Sequence, residues 1–245
     1  MLLDENMRNV VEALLKLSGS SSLATTIDDV AHESRMLREV VIYHLSRLCE
    51  LGLISMSDEL VMINDRLSLA LFAVSLGLDI RKVAEHLSWH DFEYFSAQCL
   101  EANDYDTFKN VVFTYNSRRY EIDVVAFRRP KVLCVDCKHW GLRKGKVSQL
   151  KKAVILHKER VFAFSNFLKR HLSRYYIKSW NHAYLYPIIV TLYEEPITIY
   201  EGLPIVPIAK FNNFLQSFDA WSDSLLFIPV KFMKKEDHLM DISKR

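Results

Sequence analysis

The sequence predicts an α/β (α+β) protein of two units: a small helical unit closed by a β-hairpin, then a mixed sheet flanked by helices. Three observations predict it. Apolar residues recur at helical spacing through the first fifty positions. Two short β-like runs follow them, LISM (53–56) and LVMI (60–63). Three consecutive strand-like runs then fill 109–140, behind a helix and ahead of a long basic helical stretch.

In the first unit, Val10, Val11, Leu14, Leu15 and Leu17 mark a helix over 7–17. SGSSS (18–22) is a loop. Thr26 is placed to N-cap IDDVAHES, whose Asp28 and Asp29 suit the positive end of the helix dipole. Ser34 is expected to cap a third helix running to about Glu50, with Leu37, Val40, Val41, Leu45 and Leu48 inward and Gly52 just past its end. Ser57, Asp58 and Glu59 turn the hairpin. Helix, helix, helix, hairpin is the order of a winged helix-turn-helix, which gives domain bounds of 1–64, a helical connector at 65–88 and a second domain at 89–245. Arg35, Arg38 and Arg47 lie off the apolar stripe of the third helix, where they would meet DNA. A small helical docking or dimerisation domain is the alternative.

The second unit opens with a helix over 91–102, with Phe92, Phe95 and Cys99 on one side; Asn103 and Asp104 end it. KNVVFTY (109–115), RYEIDVVAF (119–127) and KVLCVDCKHW (131–140) are joined by connections short enough for antiparallel hairpins. Helical segments are expected at 146–156 and 159–178, strands at 184–193 and 204–209, and a short helix at 210–218.

Composition narrows the function. Of 245 residues half are hydrophobic and a quarter charged, as in a packed globular chain. The longest apolar run, Leu67 to Leu78, is far short of the roughly 20 residues of a membrane span. An acidic start unlike a secretory signal, and four cysteines, make a reducing, cytoplasmic compartment the default. The net charge of +2 hides a strong asymmetry. Residues 1–88 carry 8 Lys/Arg against 13 Asp/Glu, whereas residues 138–178 carry 12 against 1. So one-sided a block favours contact with a polyanion, and the acidic first unit suits a protein partner.

The chemistry concentrates in the third strand. Asp136 and Lys138 are two apart and so project from one face. Asp123 occupies the preceding strand, and a hairpin would bring it near Asp136. Two carboxylates side by side repel, which a hard divalent cation relieves; Glu93 offers a third oxygen donor. A structural ion cluster is the plain alternative. Other constellations point nowhere definite. Cys134 and Cys137 form a lone CxxC, His86 and His90 have Leu87 where a zinc protease needs glutamate, and GLRKGK (141–146) lacks the spacing of a P-loop.

FEYFSAQCLEANDY (92–105), YEIDVVAF (120–127) and VLCVDCKHW (132–140) together resemble the PD-(D/E)xK nuclease superfamily, of restriction-endonuclease-like fold, above all its Mrr-type and Holliday-junction-resolvase-like members. The resemblance spans roughly 89–165 and extends more weakly to 210. It implies Asp123 as the first catalytic acid, Asp136-Cys137-Lys138 as the (D/E)xK element, with Asp where Glu is the more frequent residue, and Glu93 as the helix glutamate. Gln149 matches an auxiliary glutamine of some members. The implied activity is metal-dependent DNA endonucleolysis, in repair, recombination or restriction. Mg²⁺ or Mn²⁺ would sit on Asp123, Asp136 and Glu93. Lys144, Lys146, Gln149, Lys151 and Lys152 would hold the DNA backbone, and a homodimer would suit cutting of both strands. The alternative is an inactive nuclease fold that serves as a DNA- or protein-binding regulator.

Overall fold

The computed structural model describes residues 2–18, 23–140 and 146–232. The chain divides into two compact units, Met1–Phe95 and Ser96–Arg245.

The first unit runs α1 (Leu2–Leu17), β1 (Ala24–Thr26), α2 (Ile27–Ser34), α3 (Arg38–Glu50), β2 (Ile54–Ser57), β3 (Leu60–Ile63), α4 (Arg66–Ser75), α5 (Ile80–Glu85) and the start of α6 (Trp89–Glu101). Thr26 caps α2 by accepting the Asp29 amide at 3.1 Å, which satisfies one of the free N–H groups of the first turn. Ser34 does not cap α3. It lies inside α2, where its hydroxyl donates to the Val30 carbonyl at 2.6 Å, and Leu37 takes the cap position without a side-chain bond. The left-handed backbone at Arg35 (φ 54°) ends α2 three residues before α3 begins. β2 and β3 form the expected hairpin, and β1 adds to the far edge of β3, giving an antiparallel sheet in the order β1-β3-β2. Val10, Val11, Leu14, Val30, Val41, Leu45, Leu48 and Val61 are fully buried beneath it. The connector is two helices. The apolar run from Leu67 is α4, and Asp65 caps it by accepting the amides of Leu67 and Ser68. Among the described residues no helix is long and apolar enough to cross a membrane.

The second unit is a mixed sheet flanked by helices. Its strands are β4 (Asp106–Tyr115), β5 (Arg118–Arg128), β6 (Lys131–Lys138), β7 (His182–Thr191), β8 (Ile199–Tyr200), β9 (Leu203–Pro207) and β10 (Ile228–Lys231). β4, β5 and β6 form two successive antiparallel hairpins. β7 then lies parallel to β6, which requires the crossover supplied by α7 (Lys146–Leu168). β9 pairs parallel with the end of β7, and β10 pairs antiparallel with its start. α8 (Ile208–Gln216) and α9 (Phe218–Trp221) complete the unit.

α7 is one helix of 23 residues where the sequence suggests two segments meeting near 157. Its inward positions, Leu150, Val154, His157, Val161, Phe164 and Leu168, alternate by four and three residues and are all 0% exposed. Leu150 and Val154 join an apolar cluster with β7 and β9, and Val161, Phe164 and Leu168 join a larger one under β4, β5 and β6. His157 lies between the two clusters along the helix.

The burial of α7 is testable. Phe164 packs against Phe113, Phe167 and Tyr175, so Phe164→Ala should cost about 3–5 kcal/mol in a urea titration. Phe162, on the same helix but 58% exposed, should tolerate Ala within about 0.5 kcal/mol. Equal effects would contradict the assigned inner face.

Candidate active site

The β4–β5–β6 meander is irregular at one place, and that place holds the acids. A regular strand puts residues an even number apart on one face. Ile122 and Val125 are three apart, yet both enter the same apolar cluster, as do Phe108 and Val111 across from them. The pleat therefore reverses between these pairs. Asn110 and Asp123 stand opposite each other at the reversal, between the Lys109–Val124 and Val111–Ile122 partners, and Asn110 adopts φ 51°. Asparagine tolerates that left-handed backbone better than most residues. On the other side of β5 the pairing with β6 reaches only Val124–Val135. The next positions along the two strands are Asp123 and Asp136. Here Asp123 Oδ2 accepts the Cys137 amide at 2.7 Å, so a carboxylate takes over where the regular ladder stops.

Asp136 is 1% exposed and lies between two cations. Lys138 Nζ is 2.7 Å from Oδ2, and Arg160 Nη1, from α7, is 2.9 Å from Oδ1. Each Asp136 oxygen is thus held by one cation at hydrogen-bonding distance. Lys138 also lies 5.7 Å from the Trp140 ring centre. His157 is fully buried, and its Nε2–H donates to the Cys134 carbonyl at 2.8 Å.

Charge is shared unevenly. Burial pushes the Asp123 carboxyl up to about 6, and the charge of Asp136 pushes the same way; the Cys137 amide, Lys138 and Arg160 offset only part of it. Burial also opposes ionisation of Asp136, but His157, Lys138 and Arg160 outweigh it and hold this carboxyl below the usual range. Burial drives the His157 imidazole down to about 4, so it is neutral at pH 7 and the standing positive charge at Asp136 comes from Lys138 and Arg160.

The residues singled out from the sequence thus fall into four groups. Asp123, Asp136 and Lys138 are brought together. Glu93 is buried on α6, on the first unit's side of the division within that helix. Gln149, Lys151 and Lys152 are exposed on the first turns of α7, Lys144 lies outside the described residues, and Lys146 begins α7. In the first unit Arg35 and Arg47 are exposed, whereas Arg38 pairs with Asp28 at 2.9 Å and with Glu59. Arg160 and His157 escape a sequence reading that breaks the helix between 156 and 159. The four-three spacing from Leu150 to Leu168 was the signal for His157; Arg160 looks like one more cation of the basic block.

Among the described residues no group of three or more His, Cys, Asp and Glu side chains is arranged to hold a metal ion. The Asp123–Asp136 pair still suits a small hard cation. Mg²⁺ commonly binds through one or two carboxylates and completes its shell with water and substrate phosphate. Burial and the charge of Asp136 together raise Asp123, and such an ion would offset both.

The raised Asp123 carboxyl fixes a pH signature in metal-free buffer. Below about pH 4 the group is protonated in both folded and unfolded chains, and Asp123→Asn should change stability little. As pH rises through 4 to 6 the unfolded chain ionises first and the wild type loses stability. Above pH 6.5 the variant should therefore be more stable by about 3 kcal/mol. Urea titrations at pH 4 and pH 7.5 measure this; a gap that is the same at both would contradict it.

Residues 84–164 match the family model of the Mrr catalytic domain, described as a restriction endonuclease. An uncharacterized protein of Archaeoglobus fulgidus is 30% identical over 129 residues, 53% of this chain and 90% of that protein. Protein VC1899 from Vibrio cholerae is a similar solved structure, at 13% identity and TM-score 0.39 over 91% of this chain and 57% of that one. Can2 from Sulfobacillus thermosulfidooxidans, solved in complex with cyclic tetra-adenylate, is 11% identical with TM-score 0.32 over 72% of this chain and 44% of that one. The chain spans about half the length of these two solved proteins. Through residues 84–164, the chain belongs to the restriction-endonuclease family of the Mrr catalytic type.

Proposed function

We propose that the protein is a metal-dependent DNA endonuclease that hydrolyses phosphodiester bonds at Asp123, Asp136 and Lys138. The observation that carries this is the pair of adjacent, mostly buried aspartates, one of them with its carboxyl raised by burial and by the charge of the other, beside a lysine of the same strand face. Membership in a nuclease family supports it. Asp123 and Asp136 would hold Mg²⁺ or Mn²⁺, with Glu93 as a further oxygen donor. The cation, when bound, supplies an activated water and a counter-charge for the phosphate.

The chain's own residues account for the rest. The Cys137 amide fixes the Asp123 carboxylate, so a ligand meets a set geometry instead of a rotating side chain. Lys138, 19% exposed at the side chain, reaches from Asp136 toward solvent, where it would orient the attacking water or balance charge building on the phosphate. The basic stretch that follows supplies the backbone contacts. Lys151, Lys152, Lys169, Arg170, Arg174 and Lys178 are exposed and, among the described residues, have no ion pair to neutralise them. Such cations give affinity without sequence preference. The first unit, with its three-helix and hairpin order, would serve as a winged helix. Exposed Arg35 and Arg47 suit DNA, and the excess of acid there suits a protein partner. A homodimer would place two sites on a duplex. Repair, recombination and restriction all fit this chemistry.

A second reading has its own observation. Asp136 is already neutralised by two cations, as in a purely structural ion cluster, and such a protein would bind DNA or protein without cutting.

Cleavage separates the two. With Mg²⁺ or Mn²⁺ the purified protein should nick or linearise plasmid or branched DNA. Asp136→Ala should abolish this, and Lys138→Ala should slow it by about 10²–10³-fold while DNA binding persists. If wild type and Asp136→Ala are equally inert on all such substrates, the endonuclease reading fails.

A further inference from the structure

Arg160 stands outside the motif that carries Asp123, Asp136 and Lys138, yet it holds the more buried of the two aspartates. It reaches the site from α7, a different element, and its Nη1 lies 2.9 Å from Asp136 Oδ1. The same nitrogen donates to the Glu121 carbonyl at 3.3 Å. Arg160 therefore ties α7 to β6 through Asp136, and to β5 two residues before Asp123. Its side chain is 22% exposed, so the guanidinium lies at the boundary between the buried carboxylate and solvent.

The site has two acids and two cations, and both cations sit directly on Asp136. Lys138 takes Oδ2 and Arg160 takes Oδ1. A metal ligand must present a free oxygen, and a divalent ion is repelled by cations already seated there. Entry of a cation on this side of Asp136 thus requires the guanidinium to yield. Arginine stays charged at any accessible pH, so it cannot yield by losing a proton and has to move. The partial exposure and the long flexible stem give it room to do so.

We propose that Arg160 is an internal counter-ion that occupies Asp136 in the metal-free protein and competes with the divalent cation for it. This rests on the reading that Asp123 and Asp136 bind the metal. Arg160 is a positioning residue in this scheme. It keeps the resting site charge-balanced and folded without metal, and sets how much metal is needed to load it.

Mn²⁺ alone, titrated calorimetrically into the full-length chain without DNA, tests the competition. Arg160→Gln keeps a polar donor but removes the charge, and should bind Mn²⁺ about tenfold tighter than wild type. Arg160→Lys keeps the charge on a shorter, non-forked side chain and should fall between the two. If Arg160→Gln does not fold, Arg160→Lys carries the test, with tighter binding expected. A merely structural arginine would leave Mn²⁺ affinity unchanged or weakened in every variant that folds, and that result overturns the proposal while leaving the metal site standing. No Mn²⁺ binding by wild type or variants would overturn both.

Discussion

Placing a carboxylate out of water costs several kcal/mol unless cations or donors replace the lost hydration, and Asp136 meets this cost in the middle of the second unit. Three elements are arranged around the solution. β6 supplies Lys138, α7 supplies Arg160, and β5 supplies the Glu121 carbonyl that holds the same guanidinium. The crossover helix is thereby fixed against the sheet at a polar point as well as by its apolar stripe. His157 continues that stripe but donates to the Cys134 carbonyl, so even the transition between the two apolar clusters is held by a hydrogen bond.

Asp123 shows the opposite balance. It sits where the pleat of β4 and β5 reverses and where the β5–β6 pairing runs out. Burial and the charge of Asp136 oppose its ionisation, and the Cys137 amide, Lys138 and Arg160 offset only part of this. The two acids are thus unequally compensated, Asp136 fully and Asp123 only in part.

Much of this was legible in the sequence because it depends on local pattern. Alternating Tyr120, Ile122 and Val124, followed by the short turn at 128–130, gives the β5–β6 hairpin, and the hairpin alone brings Asp123 toward Asp136. Thr26 before Asp28 and Asp29 gives the start of α2. What was hidden depends on tertiary contact. Ser34 resembles a cap, but its hydroxyl finds the Val30 carbonyl of its own helix first. The reversal at Asn110 leaves no mark in an alternation pattern that is already mostly apolar. Arg160 is indistinguishable along the chain from Lys158, which pairs with Glu201 at the surface. Only the helical phase set by Val161 and Phe164 aims one of them at Asp136. The net charge of +2 likewise concealed a basic stretch whose first member, Lys138, is spent inside the site and whose Lys151, Lys152, Lys169, Arg170, Arg174 and Lys178 stay exposed.

In the proposed function Asp123 and Asp136 form one cation-binding site. Anomalous diffraction from a crystal soaked in Mn²⁺ tests it most directly. A shared site would give a single strong manganese peak within coordinating distance of oxygens from both aspartates, with the Arg160 guanidinium displaced from Oδ1. Manganese bound elsewhere, or a saturated soak with the Arg160–Asp136–Lys138 cluster intact and no ion beside it, would contradict it.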